Sequence, residues 1–105
     1  YLVMTEDDRS TLDAIYQCLA DARRRDVLRY LQEVDDGIAS VGDLADYVVE
    51  QETNSPTPSR DSVLTNLYHT HLPMLAVEGL VEFDERTETV RYSHHPALEQ
   101  ILGEE

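Results

Sequence analysis

Between Leu67 and Asp84 the sequence LYHTHLPMLAVEGLVEFD changes its hydrophobic period with no linker between. Leu64, Leu67, Tyr68, His71, Leu72 and Leu75 recur at helical spacing, whereas Leu80–Asp84 alternates as a half-buried strand does. Gly79 stands at the junction, where a helix that ends in a left-handed residue needs glycine. Thr89–Ser93 alternates again beyond the turn Glu85–Glu88, so 80–93 reads as a hairpin. Pro73 interrupts the helical part. It has no N–H to give the carbonyl four residues back, which frees the carbonyl of His69. At ~100° per residue Pro73 lies opposite the Leu64–Leu67–Leu72–Leu75 face. The expected result is one helix over about 60–78, bent near His69–Pro73 with the ring outward. A true break into two helices is the alternative.

Upstream, the same reading gives three helices and a short strand. Residues 1–9 read as frayed. Ser10 or Thr11 can cap a first helix that presents Leu12, Ile15, Tyr16 and Leu19. Asp21 is an N-cap for a second helix, Ala22 to Val34, with Val27, Leu28, Leu31 and Val34 on one face, and Asp35-Asp36-Gly37 stops it. Ile38-Ala39 can form a strand. Ser40 and Asp43 have capping-box spacing for a third helix to about Glu50, with Val41, Leu44, Ala45 and Val48 inward. QETNSPTPSR, 51–60, holds two prolines and no apolar residue and reads as a loop. Pro96 opens a last helical segment, Ala97–Leu102. The sum is a single domain over 1–105, mainly α with a small β-hairpin.

Charge narrows the setting. The chain has 22 acidic residues against 8 basic ones, all arginine, for a net charge of -14. The acids are spread over every segment instead of forming a tail. A solvated acidic surface kept for solubility is one reading. Adaptation to molar salt, where the Debye length is ~3 Å, is the one that lysine avoidance favours. It implies an extremely halophilic archaeon. No apolar run approaches the ~20 residues of a membrane span, YLVMTEDDRS lacks the features of a signal peptide, and the lone Cys18 fits a reducing cytoplasm.

This order of elements resembles a winged helix-turn-helix. LADARRRDVLRYL (Leu19–Leu31), SVGDLADYV (Ser40–Val48), LYHTHLPMLAVEGLVEFD and TVRY (Thr89–Tyr92) resemble the corresponding helices and wing strands of arsenic-repressor-like regulators. The combination LYHxHLPxL…GLVE(Y/F)D looks like a group of short acidic winged-helix proteins of halophilic archaea. The resemblance implies that the fourth helix is a recognition helix and 80–93 a wing. There are two departures. The 51–60 loop exceeds the ~3–4 residues of a strict helix-turn-helix. With Cys18 as the only cysteine, the metal-sensing cysteine pair is also missing, so metal sensing does not carry over.

Enzyme chemistry is not expected. GxGxxG, P-loop, CxxC and HExxH motifs are absent. His69 and His71 would lie ~200° apart on a helix and do not share an ion without unwinding. His94 and His95 read as surface or interface residues, and no cofactor is implied. Cys18 reads as a small buried hydrophobe. The outward face of the fourth helix carries Ser62, Thr65, Asn66, His69 and Thr70, which suit base edges or phosphates, asparagine pairing with adenine N6/N7. Arg60 at the helix start and Arg86 at the wing tip are the candidate phosphate contacts. Arg24 reads as structural, binding helix ends or Asp21, and Arg91 can face either side of the sheet. The expected function is a cytoplasmic transcriptional regulator that binds double-stranded DNA. It would be a homodimer through the first helix and the C-terminal segment, with Leu98, Ile101 and Leu102. The rival is a winged-helix protein-interaction module that binds no nucleic acid. If acids such as Asp61, Glu85 and Glu88 dominate the reading face, the rival gains.

Overall fold

The computed structural model describes residues 6–52 and 58–103, with side chains from 12 to 52 and from 58 to 101. Helix α1 (Glu6–Leu19) starts earlier than its apolar stripe does, so Ser10 and Thr11 lie inside it instead of capping it. Residues 6–9, expected to fray, are helical, and 1–5 lie outside the described residues. Asp21 then caps α2 (Ala22–Glu33) as expected, its carboxylate accepting from the N–H groups of Arg23 and Arg24. Val34 is the C-cap, one residue short of the expected end. Gly37, at φ +68°, turns the chain into β1 (Ile38–Ser40).

Ser40 caps α3 (Val41–Gln51) by accepting from the Asp43 N–H, and all four expected core residues of that helix are buried. The 51–60 loop is shorter than its composition suggested at both ends. Gln51 is helical, Ser59 already caps the next helix through the N–H of Ser62, and 53–57 lie outside the described residues.

The helix over 60–77 is unbroken, in line with the expected single helix, and meets the proline with a wider turn instead of a simple bend. It is continuous, but α4 (Arg60–Asn66) passes into a π-helical segment (Leu67–His71) before α5 (Leu72–Val77). The Leu72 N–H reaches the Leu67 carbonyl, five residues back. The wider turn absorbs one extra residue just ahead of Pro73, where the usual four-residue ladder must fail. The insertion also shifts the buried stripe, which runs Val63, Leu67, then His71, Leu72 and Leu75. Leu64, expected inside, is only half-buried, and Val63 takes its place. The Pro73 ring is half-buried rather than fully outward.

Gly79, at φ +76°, closes α5 in the expected manner. Its N–H reaches Ala76 O (3.0 Å), and the Leu80 N–H reaches Leu75 O (3.0 Å). This Schellman pattern sends the chain directly into β2 (Val81–Asp84). Among the described residues the strands form one antiparallel sheet in the order β1-β3-β2, with β3 (Thr89–Tyr92) central. Val81 pairs with Tyr92 and Phe83 with Val90 on the inner face, and Glu82 pairs with Arg91 on the outer. Helix α6 (Pro96–Gly103) packs Leu98 into the core. The chain is thus mainly helical with a three-stranded sheet, in the element order of a winged helix-turn-helix. Among the described residues no helix is long and apolar enough to cross a membrane.

Candidate functional site

The helical run 60–77 and the wing enclose a shallow cleft lined by Leu64, Thr65, Tyr68, His69, Glu85 and Glu88. The aromatic ring of Tyr68 sets its width. Its centroid is 5.6 Å from that of Phe83, and its hydroxyl donates to Glu88 Oε1 (2.9 Å). Glu88 is itself held in the left-handed region (φ +58°), and its carbonyl accepts from the Val41 N–H (2.9 Å). The turn of the wing is therefore tied both to the start of α3 and to the helical run.

The predicted reading residues fall into two groups. Ser62, Thr65, His69 and Thr70 are exposed, as expected. Asn66 is half-buried, and its Oδ1 accepts from Arg23 Nη1 (2.8 Å). With Thr70 it lines a second cleft, against the start of α2. The backbone N–H of Ser62 is taken by Ser59 Oγ (3.1 Å) and Asp61 stands beside it, so the start of α4 is not an open phosphate site.

The arginines are more committed than the sequence implied. Arg60 donates to Asp46 Oδ1 (2.6 Å) and bridges the start of α4 to α3. It is half-exposed, and such a surface pair is worth ~0–1 kcal/mol. Arg91 pairs with Glu82 on the outer face of the wing. Arg86 is exposed at the turn, where Asp84 Oδ1 holds its backbone N–H (3.0 Å). Arg24 binds the end of α1 through the carbonyls of Cys18 (2.9 Å) and Gln17 (3.0 Å), the first of the two roles read for it. Among the described residues no group of three His, Cys, Asp or Glu side chains could hold a metal ion. Burial pushes the Cys18 thiol up, which keeps it protonated and unreactive.

Sequence reasoning missed the polar cluster under the helical run. Arg24 Nη1 lies 3.2 Å from His71 Nδ1. A guanidinium only donates, so Nδ1 accepts and the ring proton sits on Nε2, 3.9 Å from Asp21 Oδ1. Burial disfavours the charged ring; Asp21 opposes this, but Arg24 and Arg23 add to it, and the His71 pKa falls below the usual histidine range. For Asp21 burial works upward, and His71 with the N–H groups of Arg23 and Arg24 outweighs it, so its pKa is lowered. The consequence for stability has a definite sign. An unfolded histidine titrates near ~6.5, above the folded value, so the unfolded state binds more protons in that window. Stability should therefore drop as pH falls from 7.5 to 5.5. His71→Asn keeps an acceptor for Arg24 without a titrating ring and should flatten that slope. Denaturant midpoints at the two pH values test it, and equal slopes for both proteins would refute the assignment. The Asp21 contribution lies in a separate window, lost only below the ordinary carboxylate range.

The most informative feature is an absence of charge. Of 22 acidic residues, none falls between Ser62 and Val77, the longest such stretch in the chain. This stretch covers the exposed face of the helical run, where solvated helices elsewhere in the molecule carry Asp or Glu. The profile of one protein family, described as a domain of unknown function (DUF7344), matches residues 16–91. The chain belongs to the DUF7344 family. The matched span holds every candidate site residue and stops before α6. No curated protein and no solved structure matches the chain.

Proposed function

We propose that this DUF7344 chain is a duplex-DNA-binding regulator working in a cytoplasm of molar salt, with the 60–77 helical run in the major groove and the wing against the neighbouring backbone. The observation that carries the reading is the acid-free stretch Ser62–Val77 of that run, beyond Asp61, in a chain of net charge -14. A helix that only needed solvation would have carried carboxylates there, as the others do. The resemblance to arsenic-repressor-like regulators and the winged order of elements support the same assignment. Ser62, Thr65 and His69 occupy the groove-facing side, Thr70 and Asn66 the edge toward α2. Among the described residues no carboxylate holds the Arg86 side chain, which makes it the wing's available cation, and Arg60 is a secondary contact because Asp46 already holds it.

Molar salt removes most of the counterion-release contribution and screens repulsion as well, so affinity rests on hydrogen bonds and shape. A homodimer fits a two-fold operator. Tyr16 is exposed, and Leu12, Leu19 and Ile101 are half-buried, which leaves a reduced apolar surface for a partner. Ile15 and Leu98 already belong to the domain's own core, and the Leu102 side chain lies outside the described residues.

A second reading has its own observation. Glu85 and Glu88 line the cleft beside Thr65 and His69 and would suit a basic protein segment. Selection from a random duplex pool at molar potassium chloride separates the two. The DNA reading expects an enriched motif and no affinity for basic peptides. Absence of any enriched motif passes the function to the interaction module. A charge placed on the reading face gives a sharper check. Thr65→Glu should abolish binding to the selected duplex, whereas Arg86→Ala should weaken selected and scrambled duplexes alike, since phosphate contacts carry no direct sequence information. Fluorescence anisotropy reads both, and unchanged binding by Thr65→Glu would place the interface elsewhere.

A further inference from the structure

Arg23 reaches across from the first turn of α2 to two other elements. Its Nε and Nη2 donate to the two carboxylate oxygens of Glu52 (2.7 and 3.1 Å), just past the end of α3. Its Nη1 donates to Asn66 Oδ1 at 2.8 Å. All three residues are half-buried, and Glu52 raises the Arg23 pKa further by accepting these bonds. The fork-to-carboxylate pairing fixes the plane of the guanidinium, and the fixed guanidinium in turn fixes the amide.

The orientation of the amide follows from donor and acceptor chemistry. A guanidinium has five N–H donors and no acceptor. The atom that faces Nη1 must therefore be the amide oxygen. The NH2 group, on the other arm of the planar amide, is turned away from Arg23. Reversing the amide would set two donors against each other inside a partly desolvated cleft, which the Glu52 clamp prevents Arg23 from avoiding.

Resting on the DNA reading above, we infer that the Glu52–Arg23 pair presents Asn66 to the groove as a hydrogen-bond donor only, so that it rejects cytosine and forfeits the two-bond preference for adenine over guanine and thymine. Pairing with adenine needs the amide oxygen to accept from N6 while the nitrogen donates to N7, both facing the base. Here the oxygen faces Arg23. The remaining donor suits any acceptor edge, O6 or N7 of guanine, O4 of thymine or N7 of adenine, and finds none on cytosine. This removes the adenine preference expected from the asparagine alone. Arg23 is a positioning residue, acting on the base only through Asn66.

The test compares base preferences selected from a random duplex pool at molar potassium chloride for wild type, Asn66→Ala, Arg23→Ala and Glu52→Gln, each first shown to unfold cooperatively at that salt. Wild type should yield one motif position that excludes cytosine and does not favour adenine over guanine or thymine, and Asn66→Ala should lose that discrimination by about 2- to 13-fold, the equivalent of ~0.5–1.5 kcal/mol. Arg23→Ala, which frees the amide oxygen for the two-bond contact, should turn that position alone toward adenine, and Glu52→Gln should do so more weakly. A merely structural arginine would weaken every position together and leave the preference intact. A preference for adenine over guanine and thymine at the Asn66-dependent position in wild type overturns the inference, with or without a folded Arg23 variant. So does an Arg23→Ala motif identical to wild type; in both cases the DNA reading survives. No enriched motif for wild type overturns both.

Discussion

Leu72→Ala is expected to lower the unfolding free energy by ~2–5 kcal/mol. Leu72 is fully buried and is the first residue after the π-helical segment. Its N–H closes the wide turn onto Leu67, and its side chain joins the stripe that the extra residue displaced. Removing it opens a cavity where Pro73 already denies the helix one backbone bond, so local repacking has little freedom. Val77→Ala, at a position 82% exposed in the same helical run, should change stability by less than ~0.5 kcal/mol. Denaturant titrations at fixed high salt measure both. Equal effects at the two positions would mean that the helical run does not pack as described.

The second large effect is on salt. A net charge of -14 on 105 residues repels itself when unscreened. The melting temperature should rise steeply from 0.1 M salt, where the Debye length is ~10 Å, toward molar potassium chloride, where it is ~3 Å. A domain of this size shifts by roughly 4–8 °C per kcal/mol. Loss of even half of a typical stability of ~5–15 kcal/mol would therefore be plain in a thermal scan. The carboxylates responsible are solvated, so the dependence should saturate once screening is complete. A melting temperature that is flat across the range would remove the case for a molar-salt setting, and with it the reason a nucleic acid could approach this surface.

What the sequence could reveal follows from how local each signal is. Asp21, Ser40 and Gly79 act within three to five residues, and each was readable as a cap or stop that the structure contains. The inward stripe of α3 was readable for the same reason. The π-helical turn was not. Proline dictates that a bond is lost at His69, but whether the chain bends, breaks or widens depends on what packs against it. Here Val63 and His71 had buried places to fill. Asn66 looked like an outward reader because it lies one turn from His69. Its partner Arg23 is 43 positions away in the chain, and only the packing of α2 against the helical run brings them together. The acids of the wing tip were visible as Glu85 and Glu88. Their approach to Thr65 and His69 depends on the Tyr68–Phe83 contact, which no local period encodes.

The central claim is that the acid-free face of the helical run meets DNA. Amide chemical-shift mapping of the labelled protein with a selected duplex in molar potassium chloride tests it most directly. The account predicts that the perturbed amides cluster at 60–70 and 85–88, with α1 and α6 unaffected beyond any change in dimerisation. Perturbations centred on α1, α6 or the outer face of the sheet, with the 60–70 amides unmoved, would contradict it.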